Sequence, residues 1–345
     1  MSSAIPPPGV TGTPVSGPPP PGARPAALLA VRIGPADVGR RVTVRHRIED
    51  GRLSDVVGVL RSWADGVLRV ERRSGEVADV PEADVVAAKV VPPELSAEAM
   101  QRVAEAGWPP VETADLGEWT LRASGGLTGR ANSVRVAGDP GRPLEEALAQ
   151  VVDWYAERSL PPIVQLPEPS RWDSGLDRLG WAPARRTTVR TVATADLVAA
   201  AGGLPEGVAA LRSDVPDAEL LALVEPSLEP VGLARILTAP AERVFVSLRD
   251  ADGAVLAAGR ASTSPSPVGR WSGITSLAVA PDARRRGLGR AVMGELGRWA
   301  AEVGAPSTYL QVMTQNAPAI ALYAQLGFAL HHTYCYRSPG PISSR

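Results

Sequence analysis

The stretch from Trp271 to Ala300 reads WSGITSLAVAPDARRRGLGRAVMGELGRWA, and it decides how the rest of the chain is interpreted. Its apolar run, Ile274 to Val279, predicts a strand that ends before Pro281. Beyond a cluster of arginines and glycines, apolar residues recur at helical spacing up to Trp299. The sequence therefore predicts a strand, a loop and a helix in that order.

The loop between this strand and helix has the composition of a phosphate site. Gly287 and Gly289 allow a ligand to approach the backbone, and the loop amides lie at the positive end of the helix dipole. The sequence surrounds them with Arg284, Arg285, Arg286 and Arg290. The expected ligand is a phosphate or a pyrophosphate. The Walker motif is absent, and a dinucleotide GxGxxG motif would need glycine in place of Val292.

A second motif follows the first. Tyr309 to Val312 predicts a strand, Asn316 to Tyr323 (NAPAIALY) opens a helix, and Leu326-Gly327-Phe328 comes next. Together with Arg284-x-x-Gly287-x-Gly289, this pattern resembles the acetyl-CoA-binding region of the GNAT superfamily of N-acetyltransferases. An ordinary turn with solvated arginines would explain RRRG alone, but it does not explain the second motif.

The resemblance implies a cosubstrate, acetyl-CoA, and a role for each motif. The pantetheine arm would run along backbone groups of Leu277, Ala278 and Val279. The pyrophosphate would bind the amides from Arg285 to Arg290, which include that of Leu288, and Asn316 would contact the cosubstrate at the head of the last helix. An amine would attack the thioester directly, with Tyr323 protonating the departing thiolate. The alternative for Tyr323 is a place in the core, and no metal is implied.

The general base has no obvious candidate. Many GNAT relatives have a glutamate where this chain has Gln311, whose amide cannot accept a proton in that role. Alternatives acting through water are Glu225, Glu229, His331 and His332. Because α-amines have pKa values near ~8 and lysine near ~10.4, an α-amine needs less help from a base. Lysine side chains and polyamines stay open as acceptors, and a non-catalytic acetyl-CoA sensor is the alternative from another class.

Composition restricts the partners. The chain has 345 residues, with 36 basic against 37 acidic side chains, which argues against a nucleic acid or an anionic membrane as the main partner. Its single cysteine, Cys335, excludes an internal disulfide and suits a reducing cytoplasm. No apolar run reaches the ~18 residues of a membrane span, and the N-terminus lacks the pattern of a signal peptide. The expected partner is a small-molecule or peptide amine, and a homodimer stays open.

Three segments precede the catalytic unit. Residues 1–28 are rich in proline and glycine and predict a disordered tail. Residues 30–93 contain short alternating strands separated by turns, which resemble the SH3-like barrels attached to some actinobacterial acetyltransferases. Residues 94–198 repeat the pattern of 204–338, with Trp154 aligned to Trp299 and, if the first copy has a loop about two or three residues shorter, Gln165 to Gln311. The alternative is a chance similarity between two β-α-β segments.

The two copies differ at the loop. The first copy has lost the R-x-x-G-x-G pattern, and Pro140 and Pro143 remove two backbone donors. We therefore expect an α/β (α+β) fold with tandem GNAT-like units, the first degenerate and the second active, after a small barrel. The arrangement resembles an actinobacterial family in which some members are regarded as glutamate N-acetyltransferases. That implies an α-amino acid such as glutamate as acceptor, whose carboxylates Arg122, Arg130 and Arg260 are candidates to bind.

Overall fold

The computed structural model describes residues 31–224 and 230–340. The chain divides into two compact units, Met1–Val90 and Val91–Arg345. The predicted tail, residues 1–28, lies outside the described residues.

The first unit contains a five-stranded antiparallel sheet in the order β4-β3-β2-β1-β5. Alternate residues point into one apolar core, as the sequence pattern predicts. The hairpin between the second and third strands turns at Asp65 and Gly66, which have φ angles of 53° and 72°. Such positive φ angles are typical of an Asp-Gly hairpin turn. The strands are β1 Arg41–Arg47, β2 Leu53–Ala64, β3 Val67–Glu71, β4 Val77–Pro81 and β5 Val85–Val90.

The second unit is an 11-stranded sheet with helices packed against it. Its strand order is β11-β12-β13-β14-β15-β10-β16-β9-β8-β7-β6. The strands are β6 Glu112–Leu116, β7 Trp119–Ala123, β8 Val134–Arg135, β9 Val164–Glu168, β10 Ala182–Ala193, β11 Ala209–Ser213, β12 Arg243–Arg249, β13 Val255–Ser264, β14 Trp271–Val279, β15 Ser307–Met313 and β16 Ala329–Ser338. The helices are α1 Ala97–Ala106, α2 Leu144–Ala156, α3 Asp173–Arg178, α4 Thr194–Ala201, α5 Ala218–Val224, α6 Pro230–Thr238, α7 Leu288–Glu302 and α8 Ala317–Gln325.

An internal repeat is visible in the order of these elements. The series β8-α2-β9-α3-β10 has the same order as β14-α7-β15-α8-β16, and in both the first two strands pair in parallel. The last strands are exchanged between the halves, because β10 pairs with β15 while β16 pairs with β9. Strands β10 and β16 also pair with each other at the centre of the sheet. Residues 94–198 and 204–338 therefore build one continuous sheet.

The loop of the first repeat satisfies its own polar groups. The Glu118 carboxylate accepts a hydrogen bond from the Asp139 amide at 2.6 Å, and the Glu118 amide donates to the Asp139 carbonyl at 2.7 Å. Pro143 stands at the N-cap of α2 and offers no amide hydrogen. An internal carboxylate thus occupies the Asp139 amide, and Pro143 lacks an amide hydrogen, so this loop offers fewer donors to a phosphate than the loop of the second repeat.

Helix α7 lies close against the sheet of the second repeat. Gly259 on β13 allows this approach, because an added Cβ would lie 2.8 Å from Val292 Cγ1 and 3.0 Å from Leu296 Cδ1. The buried face of α7 joins β12 to β15 and α4 in one apolar cluster. Among the helices of the described part, none has the length and apolarity needed to cross a membrane.

Candidate active site

Strands β14 and β15 part halfway along their length. Their parallel pairing runs from Trp271 with Ser307 to Ile274 with Leu310 and ends there. On its other side, β14 stays paired with β13 as far as Val279. The edge of β14 that faces β15 is therefore unpaired beyond Ile274, and its backbone groups are available to a bound chain. The predicted pantetheine contacts Leu277, Ala278 and Val279 lie on this segment.

A β-bulge accompanies the separation of the strands. Ala258 pairs with Ala278 and Arg260 with Thr275, so two residues of β14, Ser276 and Leu277, stand opposite Gly259 alone. Ser276 has a φ of 54°, a left-handed conformation that is uncommon outside glycine. Bulges bend a strand and change the direction in which its backbone groups point, and they are common beside active sites.

The loop after β14 keeps its donors free. Arg285 and Gly287 have φ angles of 66° and 78°, and Gly287 is the N-cap of α7. In the described part of the chain, the amides from Gly287 to Arg290 donate to no acceptor. Arg284, Arg285 and Arg286 are exposed, and their side chains have no ion-pair partner among the described residues. Free amides at a helix N-terminus surrounded by unpaired arginines fit a pyrophosphate.

Three other predicted cosubstrate residues have structural roles here. The Arg290 guanidinium donates to the Ala200 carbonyl at 2.9 Å and to Gln325 Oε1 at 2.8 Å, so this residue offers the site its backbone amide. Leu288 is buried and anchors the first turn of α7 in the core. Asn316 caps α8, with its Oδ1 accepting from the Ala319 amide at 3.2 Å.

Tyr323 lies on α8 in the same apolar cluster as Leu310 and Val312 of β15. Its ring centroid is 5.9 Å from that of Phe328, and the side chain is largely buried. Burial raises the pKa of the Tyr323 hydroxyl to about 12. No described residue forms a hydrogen bond with this hydroxyl. Tyr323 is thus protonated at neutral pH, and its proton is not committed to another protein group.

A small polar cavity lies on the other face of the sheet, beside the point where β14 and β15 part. It is bordered by Gln311, the first residue of β15 beyond the parallel pairing. The remaining lining residues come mainly from α1 and the first repeat, and they include Glu105, Trp108, Arg122, Arg130 and Gln165.

The cavity is positively charged. Glu105, its acidic group, is held by Arg122 at 3.1 Å and by Arg135 at 2.8 Å. Arg130 lies over Trp108, with its Cζ 4.5 Å from the ring centroid, and has no acidic partner among the described residues. The lining therefore carries two guanidinium groups and one carboxylate, and that carboxylate is also paired with Arg135, which lies outside the lining.

The predicted base candidates are weak or outside the described residues. Glu225 and Glu229 lie outside the described residues. His332 Nε2 lies 2.8 Å from Gln101 Nε2, and burial, with His331 nearby, lowers the pKa of His332 to about 3. An imidazole with such a pKa stays neutral and takes up a proton poorly.

Gln311 presents a donor at the position where the resemblance implied a base. The Tyr334 hydroxyl donates to Gln311 Oε1 at 2.8 Å, which occupies the acceptor of the amide. The remaining Gln311 group is the NH₂, a donor. The cavity thus combines guanidinium and amide donors, an arrangement suited to an acceptor-rich ligand.

A family model described as "Probable histone acetyltransferase Rv0428c C-terminal" matches residues 97–337. The chain belongs to the Rv0428c acetyltransferase family. The Mycobacterium tuberculosis protein named "Probable histone acetyltransferase Rv0428c" is 31% identical over 316 residues, which cover 86% of this chain and 93% of the relative.

Other similarities support the same assignment. The Bacillus subtilis "Uncharacterized N-acetyltransferase YobR" is 25% identical over 69% of this chain and 96% of the relative. The solved structure of a "GCN5-related N-acetyltransferase from Kribbella flavida" aligns with a TM-score of 0.56 at 20% identity, over 71% of this chain and 96% of that chain, and shows the shared fold. This member of the Rv0428c family is a GNAT-type acetyltransferase that uses acetyl-CoA as cosubstrate.

The N-terminal unit has a separate match. A family model described as "Rv0428c N-terminal Sm-like domain" covers residues 36–89. The sequence pattern predicted a small β domain there and compared it with SH3-like barrels. The structure has the small β domain, and the match describes it as Sm-like.

Two arginines predicted to bind substrate carboxylates are buried in this Rv0428c-family protein. Arg122 donates to Ser133, Gln165 and Glu105, so its guanidinium is already committed. Arg260 is 0% exposed. The structure does not support either residue in direct contact with a substrate carboxylate. Of the three candidates, Arg130 is the one whose guanidinium donates to no acceptor among the described residues.

Sequence reasoning did not find Glu105, Trp108 or Thr275. Glu105 and Trp108 lie at the end of a helix that precedes the first repeat, far along the chain from the motifs. The only signal in the sequence was an acidic residue, Glu105, in the last turn of an amphipathic helix with Trp108 shortly after it. That pattern is too common to identify a site. Thr275 lies inside the quoted stretch, but only its position at the separation of the strands makes it notable.

Proposed function

We propose that this acetyltransferase acetylates the α-amine of a small amino acid that carries an additional carboxylate, such as glutamate. The observation that carries the proposal is the charge of the cavity beside Gln311. Two guanidinium groups, those of Arg122 and Arg130, line the cavity with one carboxylate, that of Glu105, which is already paired with Arg122 and with Arg135. An anionic acceptor gains attraction there, and a cationic one loses it.

Each part of the site has a role in the proposed reaction. The amides at the start of α7 and the exposed arginines bind the pyrophosphate of acetyl-CoA. The unpaired edge of β14 orients the thioester between the two strands. Arg130, stacked on Trp108, pairs with an acceptor carboxylate and directs the amine toward the thioester. Tyr323 supplies the proton to the departing thiolate.

Lysine side chains of proteins are the second candidate acceptor. The name of the Mycobacterium tuberculosis relative favours them, since it is a probable histone acetyltransferase. Two features of this chain argue against them. A lysine amine with a pKa near ~10.4 needs a base, whereas His332 is neutral and Glu105 is held by two arginines. A basic peptide or a polyamine would also be repelled by the cavity.

The test is an acceptor panel with the purified full-length protein and acetyl-CoA, followed by release of free thiol. The panel contains glutamate, glutamine, a lysine-containing basic peptide and spermidine. We expect the highest kcat/KM for glutamate, a lower value for glutamine, and little turnover with the cationic acceptors. Preference for the basic peptide or spermidine over glutamate would refute the proposal.

We further infer a cytoplasmic setting, which the single, unpaired Cys335 supports.

A further inference from the structure

Arg260 is a buried cation whose hydrogen-bond partners among the described residues are all neutral. Its side chain is 0% exposed on β13, and burial lowers its pKa to about 9. Its guanidinium donates to the Leu237 carbonyl at 2.8 Å, the Gly107 carbonyl at 3.3 Å and Thr275 Oγ1 at 3.1 Å. In the described part of the chain, no carboxylate pairs with it. Because burying an unpaired charge costs several kcal/mol, its position calls for a compensating negative charge.

Thr275 connects this cation to the active site. It is the first residue of β14 after the last parallel pair, Ile274 with Leu310. The Arg260 guanidinium has only donors, so the Thr275 oxygen must accept, and the hydroxyl proton is left to point elsewhere. No acceptor for that proton is found among the described residues. Since side chains alternate along a strand, Thr275 lies on the face opposite to Ile274, which belongs to the core around α7.

We propose that the Thr275 hydroxyl donates a hydrogen bond to the carbonyl oxygen of the thioester and stabilises the oxyanion, with the Arg260 charge behind it. The amine nitrogen forms a bond to the carbonyl carbon while the π electron pair moves onto the oxygen. Collapse restores the carbonyl and breaks the carbon–sulfur bond. The sulfur takes a proton from Tyr323, which solvent replaces, and the amine nitrogen loses a proton to solvent.

Arg260 has two consequences for this step. Its positive charge lies one hydrogen bond away from the hydroxyl, so it strengthens the donor at the moment when negative charge develops on the oxygen. Its fixed bonds to Leu237 and Gly107 hold the guanidinium in place before the reaction, so no reorganisation is needed. Arg260 is a positioning residue here, and Thr275 is the group that contacts the reacting atoms.

Two substitutions at one position separate the hydroxyl from the shape of the side chain. Thr275→Val keeps the branched shape and removes the donor, while Thr275→Ser keeps the donor. We expect Thr275→Val to lower kcat by roughly 10²-fold, the effect of losing one oxyanion donor, and Thr275→Ser to stay within about threefold of the parent. Binding of acetyl-CoA by calorimetry should change much less than kcat in both, because the hydrogen bond to the neutral carbonyl is weaker than the one to the oxyanion.

Thr263→Val is the matched control, because Thr263 lies on β13 opposite Ser272 and bonds to Glu242, away from the separation of the strands. An unchanged kcat in Thr275→Val overturns the proposal, and so do equal losses in the Val and Ser variants. The assay uses whichever acceptor the panel finds best. A preference for basic peptides would therefore refute the proposed acceptor class and leave the role of Thr275 to be decided by its own variants.

Discussion

Replacing Tyr323 with phenylalanine tests the proposed acid most cleanly. The hydroxyl has no hydrogen-bond partner in the described part of the chain, so its removal leaves no group unsatisfied. The aromatic ring keeps its contact with Phe328. We expect the free energy of unfolding to change by less than about 0.5 kcal/mol, or to rise slightly. Acetyl-CoA affinity by calorimetry should also persist.

The expected loss of kcat depends on Tyr323 being protonated at the pH of the assay. Burial moves the pKa of Tyr323 from 10.0 to about 12, which disfavours the phenolate by roughly 2.7 kcal/mol and keeps the acid protonated at working pH. Loss of a general acid costs about 10²- to 10⁴-fold. We therefore expect kcat of Tyr323→Phe to fall into that range at saturating substrates.

The pH dependence has a defined sign. Because the folded-state pKa is above the unfolded value of 10.0, the stability that neutral Tyr323 contributes is present below pH 10 and is lost between pH 10 and about 12. For the same reason, kcat of the parent enzyme should show no decline from Tyr323 ionisation below pH 10. Stopped assays at pH 7 to 10 measure this. An unchanged kcat in Tyr323→Phe would refute the role of Tyr323 as the general acid and would leave it only a packing role in the core.

Three further predictions concern the cosubstrate loop and the cavity. Gly289→Leu should weaken acetyl-CoA binding by roughly 1–3 kcal/mol in calorimetry, because an added Cβ already touches Leu322 at 3.4 Å and the rest of the leucine side chain must displace neighbours at the start of α7; Gly141→Asn in the degenerate repeat should have no effect, and the reverse result would exchange the two loops. Arg285→Ala should raise the KM for acetyl-CoA by about tenfold, with the difference shrinking at high salt and kcat little changed; a large loss of kcat at saturation would contradict a pure binding role. Glu105→Gln should lower the free energy of unfolding in urea by roughly 3 kcal/mol, because Arg122 and Arg135 lose their shared carboxylate; an unchanged midpoint would mean that this ion pair is not structural.

Local patterns determined what the sequence could predict. The strand, loop and helix from Trp271 onward follow from an apolar run, turn residues and helical periodicity, all of which act over short distances along the chain. The hydrogen-bonding state of Tyr323 was beyond these patterns, because it depends on neighbours from several elements.

Long-range placement accounts for what the sequence could not predict. The exchange of β10 and β16 between the halves leaves the alternation within each strand unchanged, so no periodicity reveals it. The cavity also depends on distant contacts, since Arg130 and Trp108 meet Gln311 only in the folded chain. Arg260 and Arg130 are the same residue type in the sequence, but Arg260 is fully buried, whereas Arg130 lies over Trp108 and lines the cavity.

The positive charge of the cavity is the central claim, and reversing that charge at Arg130 tests it most directly. The measurement is the ratio of kcat/KM for glutamate to kcat/KM for a lysine-containing basic peptide, in the parent enzyme and in Arg130→Glu. Arg142→Glu, at an exposed position of the degenerate loop, is the matched control. We expect Arg130→Glu to lower this ratio by about 10²-fold or more, less so at high salt, and the control to leave it unchanged. An equal ratio in the parent and Arg130→Glu would contradict selection of the acceptor by charge.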